Sequence, residues 1–282
     1  MKIKIFVTGS EGYVGTLVLN QLNIINKLYY MNNSDIELII DHIPLVSSIE
    51  ISKYIKIEYD FVFHCAVLGG RSYEIDSKLI YNENIKIFKN ILKLNFDKLI
   101  HFTSGADLDR SKKIFNCLPE EVIKRNPIDY FGKSKNEISK FIIKNKIGLN
   151  IRVFNVFGHP FKVRNQFIDY VIKSAKSNNE IVIEKDRFFD FFFIEDIRIV
   201  IHNIFNDNLD SDFNLCYKEK FTISEVADMI IKKLNSKSNL KISDNFLPYT
   251  GKNSSKILEI ESASFIKGLD SFINNNFNNE WF

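Results

Sequence analysis

The sequence predicts an α/β protein built around a doubly wound parallel sheet, and three observations carry this prediction. A β-branched apolar run at 2–8 leads through a glycine-rich turn into a segment with helical periodicity at 13–25. Short apolar runs typical of buried strands recur, and they occupy 37–40, 60–66, 98–102 and 150–156. Segments with helical spacing separate most of these runs, as at 81–94 and 129–144. Such alternation indicates a parallel sheet with helices on both faces.

Length and composition exclude several classes of protein. The 282 residues suffice for one large domain or a large and a small one, and the 45% hydrophobic and 26% charged residues are typical of globular proteins. A net charge of +3 is too small to indicate nucleic acid or an anionic membrane as a partner. No apolar run approaches the ~20 residues of a membrane span. Three scattered cysteines (Cys65, Cys117 and Cys216) favour a reducing, cytoplasmic location and predict no metal site.

The turn after the first strand contains three glycines at three-residue spacing, Gly9, Gly12 and Gly15. In a dinucleotide-binding fingerprint, the first glycine permits the tight turn, the second lets backbone N–H groups approach a pyrophosphate, and the third lets the helix pack on the strand. The pyrophosphate then lies at the positive end of the helix. The residues expected to contact the cofactor here are Gly9, Glu11, Gly12, Tyr13 and Val14.

The choice of dinucleotide depends on the next strand. The run at 37–40 predicts a buried strand, and Asp41 is expected to end it. A carboxylate at that position accepts hydrogen bonds from both ribose hydroxyls of an adenosine and repels a 2′-phosphate. Glu11 adds a second negative charge nearby. The sequence therefore favours NAD, and NADP stays open.

Further candidate residues lie where other predicted strands end, since ligands bind at the carboxyl ends of strands in open α/β sheets. Gly69 and Gly70 follow the strand at 60–66, and Ser104 follows the strand at 98–102. On the helix at 129–144, Phe131 and Lys135 are four residues apart and therefore share one face.

The second half of the chain alternates less strictly. Helices are predicted at 166–176, from 195, from 221 and near 262–274, with a short strand at 180–184. The polar stretch 234–253 is expected to be an exposed connection with one short strand. Arg187 is a candidate for a phosphate group, because guanidinium pairs well with phosphate oxygens, and a solvated surface arginine is the alternative. Lys162 and Arg164 are candidates for the same task.

The motifs now stand in a familiar order. The segment 9–15, GSEGYVG, looks like a glycine motif; 152–158, RVFNVFG, is similar to R-x-x-N-x-(Y/F)-G; and 190–196 resembles D-F-x-x-x-x-D. Together they resemble the extended short-chain dehydrogenase/reductase family, in its nucleotide-sugar epimerase, dehydratase and reductase branch. The resemblance covers nearly the whole chain. The paired glycines at 69–70 are most like those of GDP-fucose-synthase-type reductases.

This resemblance implies a Rossmann-type fold with a smaller C-terminal α/β substrate-binding domain. The dinucleotide-binding domain is expected at 1–160, with return elements near 190–216, and the nucleotide-sugar domain at 161–189 and 217–282. A homodimer is implied, with the helices at 81–94 and 129–144 pairing across its axis. The implied cofactor contacts include Ala66, Leu68, Asn84 and Lys135. The implied substrate contacts are Gly70, Ser104, Asn155 and Arg187, and the implied catalytic residues are Ser104, Lys135 and the residue at position 131.

Position 131 departs from the resemblance, because Phe131 stands where the family carries its catalytic tyrosine. Phenylalanine keeps the ring but has no proton to transfer, and loss of a general acid–base costs on the order of 10²–10⁴ in rate. Three explanations stay open. In the first, Phe131 is an introduced Tyr-to-Phe change that traps a substrate complex. In the second, the enzyme is natural, and Tyr130, Ser104 or water moves the proton. In the third, the chain is a non-catalytic dinucleotide-binding protein.

The residues after Ser104 narrow the implied reaction. Gly105 and Ala106 occupy the places of the Asp-Glu pair of the dehydratases, and Ala106 also replaces the cysteine of reductases that epimerise C3 and C5. Among the reactions of the family, the resemblance therefore leaves oxidation–reduction at one sugar carbon, most often C4. We expect reduction of a nucleotide-linked 4-keto-6-deoxy sugar for surface polysaccharide synthesis. The alternative is a nucleotide-sugar 4-epimerase with tightly bound NAD.

Overall fold

The computed structural model describes residues 1–32, 35–44, 48–70, 75–158 and 166–278. The strands are β1 (Lys2–Thr8), β2 (Glu37–Ile43), β3 (Glu58–His64), β4 (Asn95–Ser104), β5 (Ile114–Cys117), β6 (Gly148–Val153), β7 (Val156–Phe157), β8 (Ile181–Ile183), β9 (Phe188–Phe189), β10 (Phe192–Phe193), β11 (Phe213–Leu215), β12 (Phe221–Thr222), β13 (Leu240–Ile242) and β14 (Tyr249–Gly251). The helices are α1 (Tyr13–Met31), α2 (Ser48–Ile51), α3 (Lys78–Ile91), α4 (Tyr130–Asn145), α5 (Phe167–Lys176), α6 (Ile197–Phe205), α7 (Ile223–Lys233), α8 (Ile257–Ile260) and α9 (Phe265–Asn278).

The main sheet is parallel and, within the described residues, has the strand order β2–β1–β3–β4–β6–β11. Thr8 at the end of β1 pairs with Ile43 of β2 on one side and with His64 of β3 on the other. The chain thus moves outward from β1 to β2 and then returns to the far side of β1. This reversal creates a crevice between β1 and β3 at the carboxyl edge, the place where ligands bind in doubly wound sheets. The predicted fold class is confirmed.

Helices cover both faces of the sheet, as the alternating pattern predicted. Apolar side chains of α1 and α6, such as Leu22 and Ile201, pack with Ile5 in one buried cluster. On the other face, α3 and α4 contribute Phe88 and Ile142 to a second cluster. Because each fully buried aliphatic side chain stabilises the fold by roughly 1.5–3 kcal/mol, these two layers hold the sheet rigidly beneath its carboxyl edge.

A second sheet, in the order β12–β9–β14–β5 within the described residues, contributes to the wall of the crevice described below. The buried Asp190 holds it in position. One carboxylate oxygen of Asp190 accepts the N–H of Gly251 in β14 (2.6 Å), and the other pairs with the Lys220 ammonium (2.6 Å). Burial raises the pKa of Asp190 to about 6, against the influence of Lys220. Because Asp190 directly follows β9, its hydrogen bond to Gly251 holds β14 against β9.

Two sequence predictions about strands are wrong. β2 does not end at Asp41 but continues to Ile43, because parallel pairing with β1 extends over both further residues. The stretch 234–253 contains two strands, β13 and β14, and Tyr249 and Thr250 are buried although their neighbours are polar. In both cases, pairing with strands from other parts of the chain determines where the strands form. The domain boundaries stay a prediction; β11, near residue 214, forms the edge of the main sheet beside β6.

The described residues include no helix with both the length and the apolar character needed to cross a bilayer.

A fully buried ion pair links β6 to the turn after β4. The Arg152 guanidinium donates from Nε and Nη2 to the two Asp107 oxygens (2.7 and 3.1 Å) and from Nη1 to Asn214 of β11 (2.7 Å). Thr103 and Ser139 add hydroxyl donors to the same carboxylate. Burial acts to lower the Arg152 pKa, but the charge and hydrogen bonds of Asp107 raise it above its usual value.

We expect Arg152→Met to destabilise the protein by about 3–5 kcal/mol, because it leaves the Asp107 carboxylate buried without its counter-charge. Denaturant unfolding measures the change. Lys2→Met is the matched control, since it removes one partner of the exposed Lys2–Glu37 pair, and it should change stability by less than about 1 kcal/mol. Equal effects of the two substitutions would contradict this role of the buried pair.

Candidate functional site

A cavity of about 1100 Å³ opens at the carboxyl edge of the main sheet. The glycine turn after β1 forms one part of its wall, the segment after β3 forms the next, and Ser104 and α4 face residues of the second sheet. It brings together many of the predicted site residues: Gly9, Glu11, Gly12, Tyr13, Val14, Ala66, Leu68, Gly70, Ser104, Phe131, Asn155 and Arg187. Three predicted residues do not line it: Asp41, Asn84 and Lys135.

The glycine turn leaves space in front of the N-terminus of α1. Gly9 has φ +69°, and a Cβ there would come within 2.6 Å of the Ala66 backbone. A Cβ at Gly15 would collide with the Gly9 carbonyl oxygen. The first turn of α1 contains no acidic residue, and its N–H groups and helix dipole face the cavity. This cradle fits the pyrophosphate of a dinucleotide.

Asp41 does not lie at the rim of the crevice. It pairs with Phe6 in the sheet, two residues before the end of β2, and its carboxylate accepts the Tyr59 hydroxyl (2.7 Å). The expected position of this carboxylate at the end of the strand was therefore wrong, because β2 extends further than its apolar run. Pro44, the residue after β2, lines the cavity instead, and Glu11 remains at the glycine turn.

Asn84 holds a wall segment in place from behind. Its buried side-chain amide accepts the Leu68 N–H (2.8 Å) and donates to the Leu68 carbonyl (3.0 Å). The same NH₂ group also lies 3.0 Å from the Ser134 hydroxyl of α4. Asn84 therefore fixes the backbone that leads into Gly69 and Gly70 and, in this structure, does not face the cavity.

Two carboxylates position the start of α4 and, with it, Phe131. Asp129 accepts the N–H of Gly132 (2.7 Å), and Asp76 accepts the N–H groups of Tyr130 and Phe131 (2.8 and 3.0 Å). The Phe131 ring packs on Gly70, whose φ is +89° and whose Cβ, if present, would approach the ring to 2.6 Å. Tyr130 is outside the cavity wall and partly exposed. It is thus poorly placed to replace the missing hydroxyl.

Lys135 lies one turn below Phe131 and is buried. Its ammonium donates to the Phe102 carbonyl oxygen of β4 (3.0 Å). Burial lowers the pKa of Lys135 to about 8, and the influence of Cys65 and Asp107 only partly offsets it. Phe131 and Lys135 share a face of α4 as expected, but only the ring reaches the cavity wall.

The described structure adds two residues that the sequence analysis did not single out, Tyr249 and Arg110. Tyr249 comes from β14, and its hydroxyl lies against the segment Ser104–Gly105, since a Cβ on Gly105 would approach it to 2.5 Å. Arg110 donates to Asp129 (2.8 Å) and lies over the Phe131 ring (5.9 Å). A lone tyrosine in a polar stretch gave no periodic signal, so only strand pairing could reveal it.

Arg187 faces the cavity from the residue before β9. Its guanidinium lies over the rings of Phe189, Tyr249 and Phe246, at 4.7, 5.5 and 5.7 Å. Its Nε is buried and has no hydrogen-bond partner among the described residues. Burial lowers the Arg187 pKa, and the nearby Arg110 charge acts in the same direction. An arginine with a buried, unpartnered Nε can donate a charge-assisted hydrogen bond to an anionic ligand. Lys162 and Arg164, the other phosphate candidates, lie outside the described residues.

Lys135→Met tests the buried amine through the pH dependence of stability. In the folded protein Lys135 loses its proton near pH 8, whereas an exposed lysine in the unfolded chain keeps it up to about pH 10.5. Between these pH values the unfolded state binds more protons, so the free energy of unfolding of the wild type rises with pH relative to that of the variant. The difference in unfolding free energy should change by about 2 kcal/mol between pH 7 and 9.5, measured by denaturant unfolding. The exposed Lys86→Met variant controls for loss of a lysine. A pH-independent difference would contradict burial of the amine.

Comparisons with known proteins agree with this geometry. A 4-dehydrorhamnose reductase acting on the dTDP sugar, from Clostridium acetobutylicum, has a TM-score of 0.71 at 16% identity, covering 97% of this chain and 99% of its own. A GDP-L-fucose synthetase from Naegleria fowleri bound to NADP has 0.69 at 16%, covering 98% and 94%. A tyrosine-to-phenylalanine mutant of UDP-glucuronic acid 4-epimerase from Bacillus cereus, in complex with UDP-4-deoxy-4-fluoro-glucuronic acid and NAD, has 0.66 at 19%, covering 96% and 98%.

No curated protein sequence matches the chain. The sequence profile of the NAD dependent epimerase/dehydratase family, however, matches residues 5–216, about three quarters of the chain. The solved structures above share the fold over nearly their full length. With its motifs in the expected order, the chain belongs to the NAD dependent epimerase/dehydratase family.

Proposed function

We propose that the protein is an oxidoreductase that acts at C4 of a nucleotide-linked sugar and reduces a 4-keto-6-deoxy sugar for surface polysaccharide synthesis. The observation that carries this proposal is the shared cavity, in which the dinucleotide cradle at Gly9 continues to Ser104, Asn155 and Arg187. The bound dinucleotide supplies the hydride. Ser104 and Asn155, which line the same cavity, are our candidates for holding the sugar beside it.

Arg187 is our candidate for the diphosphate of the substrate. Its unpartnered Nε and the three surrounding aromatic rings form a site where an anion regains the interactions that the guanidinium lost on burial. A nucleotide sugar bound there would extend its sugar toward Ser104, which lines the same cavity.

We favour NAD as the cofactor, and the support is now Glu11 rather than Asp41. Glu11 lies in the glycine turn, and a carboxylate there repels the 2′-phosphate of NADP. In the described part of the wall, the arginines are Arg110 and Arg187, and both neighbour Tyr249 at the other end of the cavity. The free, buried cysteines Cys65, Cys117 and Cys216 fit a cytoplasmic location.

The test is an assay of the wild type and of Phe131→Tyr with NADH or NADPH and a panel of 4-keto-6-deoxy sugars linked to different nucleoside diphosphates. We expect oxidation of NADH with at least one sugar. Arg187→Met should raise KM for that sugar at least about tenfold with little change in kcat, because it removes binding shared by ground and transition states. Lys185→Met, at an exposed neighbouring lysine, is the matched control.

Two other outcomes would replace this proposal. Formation of a 4-epimer without net NADH consumption, detected by analysis of the nucleotide sugars, would establish the epimerase alternative. Absence of any turnover by either protein, although NADH binds, would favour the non-catalytic dinucleotide-binding protein.

We also propose a homodimer formed through α3 and α4. These helices pack side by side, with Phe88 against Phe141 and Tyr81 bonded to Glu137, and they expose Leu79 and Phe141. Light scattering should give twice the chain mass for the wild type. Leu79→Asp should shift the mass toward the monomer, whereas Ile260→Asp, at a similarly exposed side chain of α8, should not. A monomeric wild type would overturn this proposal.

A further inference from the structure

The proposed reduction needs a group that delivers a proton to the sugar oxygen, and Phe131 has none. Other groups in the described wall are unsuited to this task. Glu11 and Tyr13 lie at the glycine turn and the start of α1, where the cofactor is expected, and Asp76 is already engaged by two backbone N–H groups of α4. Burial raises the pKa of the Cys65 thiol above its usual range. At the Ser104 end, the phenol of Tyr249 is the remaining acidic group of the described wall.

Strand pairing and ring packing fix Tyr249. Its backbone pairs with Phe189 of β9 on one side and with Ile114 of β5 on the other. Its ring makes an edge contact with Phe154 (5.1 Å between centroids) and stacks on Phe189 (5.6 Å). Because both contacts hold the ring, the hydroxyl is directed at Gly105, beside Ser104.

Two positive charges lie near this phenol. The Arg187 guanidinium is 5.5 Å from the Tyr249 ring centroid, and the charges of both Arg187 and Arg110 favour the ionised form of the phenol. The Ser104 hydroxyl acts in the same direction. These groups would therefore offset part of the cost of forming a buried phenolate at Tyr249.

We propose that Tyr249 is the catalytic proton donor of this protein and replaces the tyrosine that position 131 lacks. The proposal rests on the function proposed above. A bound reduced dinucleotide would supply the hydride for the new C–H bond at the carbonyl carbon, while Tyr249 would break its O–H bond and transfer the proton to the carbonyl oxygen. Ser104 donates a hydrogen bond to the same oxygen. The remaining phenolate regains a proton from water after product release.

The protonation state of Tyr249 suits reduction better than oxidation. Burial is the largest influence and raises the pKa of Tyr249 to about 12, although Arg110, Ser104 and Arg187 act against it. Asp107 contributes to the increase. The phenol is thus protonated at neutral pH, as a donor must be, and the alkoxide that it serves is a stronger base than a phenolate. An epimerase would also need the opposite transfer, which a raised pKa disfavours.

The experiment compares four proteins: the wild type, Tyr249→Phe, Phe131→Tyr and the double variant. With the substrate found in the panel, Tyr249→Phe should lower kcat by about 10²–10⁴ with little change in KM. Phe131→Tyr should restore the rate of the Tyr249→Phe enzyme by about 10² or more, and the same substitution should give a much smaller gain in the wild-type background. Rescue in the double variant distinguishes proton transfer from packing. A tyrosine at position 131 can supply a proton, but it cannot repair a packing defect at position 249.

Calorimetric binding of NADH and of the free nucleoside diphosphate to the ligand-free proteins provides a readout independent of turnover, and both affinities should be unchanged in Tyr249→Phe. Tyr130→Phe, which removes a phenol outside the cavity, is the matched control. A Tyr249→Phe enzyme with the wild-type rate would overturn the proposal, as would weakened binding or a failure of rescue. If neither the wild type nor Phe131→Tyr turns over any substrate, the proposed function itself fails, and the role of Tyr249 fails with it.

Discussion

The buried pair between Arg152 and Asp107 is the interaction on which the site geometry depends. It joins β6 to the turn after Ser104, and Asn214 ties β11 to the same guanidinium. The Asn136 side chain brings in α4 by donating to the Asp107 carbonyl (2.8 Å). Because separating two buried charges costs several kcal/mol, the elements that carry these residues are held together at this edge of the cavity. A site of this kind is preorganised by its core.

Small residues shape the cavity as much as the side chains that line it. Gly9 lets the turn after β1 approach the backbone at Ala66, and Gly70 makes room for the Phe131 ring. In both places a Cβ would fill the space between two elements. The result is a continuous channel from the N-terminus of α1 to the second sheet, with a helix dipole at one end and guanidinium groups at the other. Such a charge distribution suits a ligand with phosphates along its length.

At position 131 the aromatic ring is retained for packing, although the hydroxyl needed for proton transfer is missing. The Phe131 ring still fills the space beside Gly70, and α4 still begins at the carboxylates that place it. Lys135, by contrast, donates to the Phe102 carbonyl oxygen and does not line the cavity. The ring and its support are thus retained at position 131, whereas the hydroxyl that a tyrosine would carry there is absent.

Local pattern in the sequence determined much of this protein. Apolar runs predicted strands β1, β2, β3, β4 and β6 of the main sheet, helical spacing predicted most of the described helices, and the three glycines predicted the turn. Tertiary structure decided what depends on register and on distant partners. It extended β2 past Asp41, turned Asn84 toward Leu68, and brought Tyr249 beside Ser104. Periodicity reports which face of an element is buried, but it contains no information on which strand of a distant segment will pair with it.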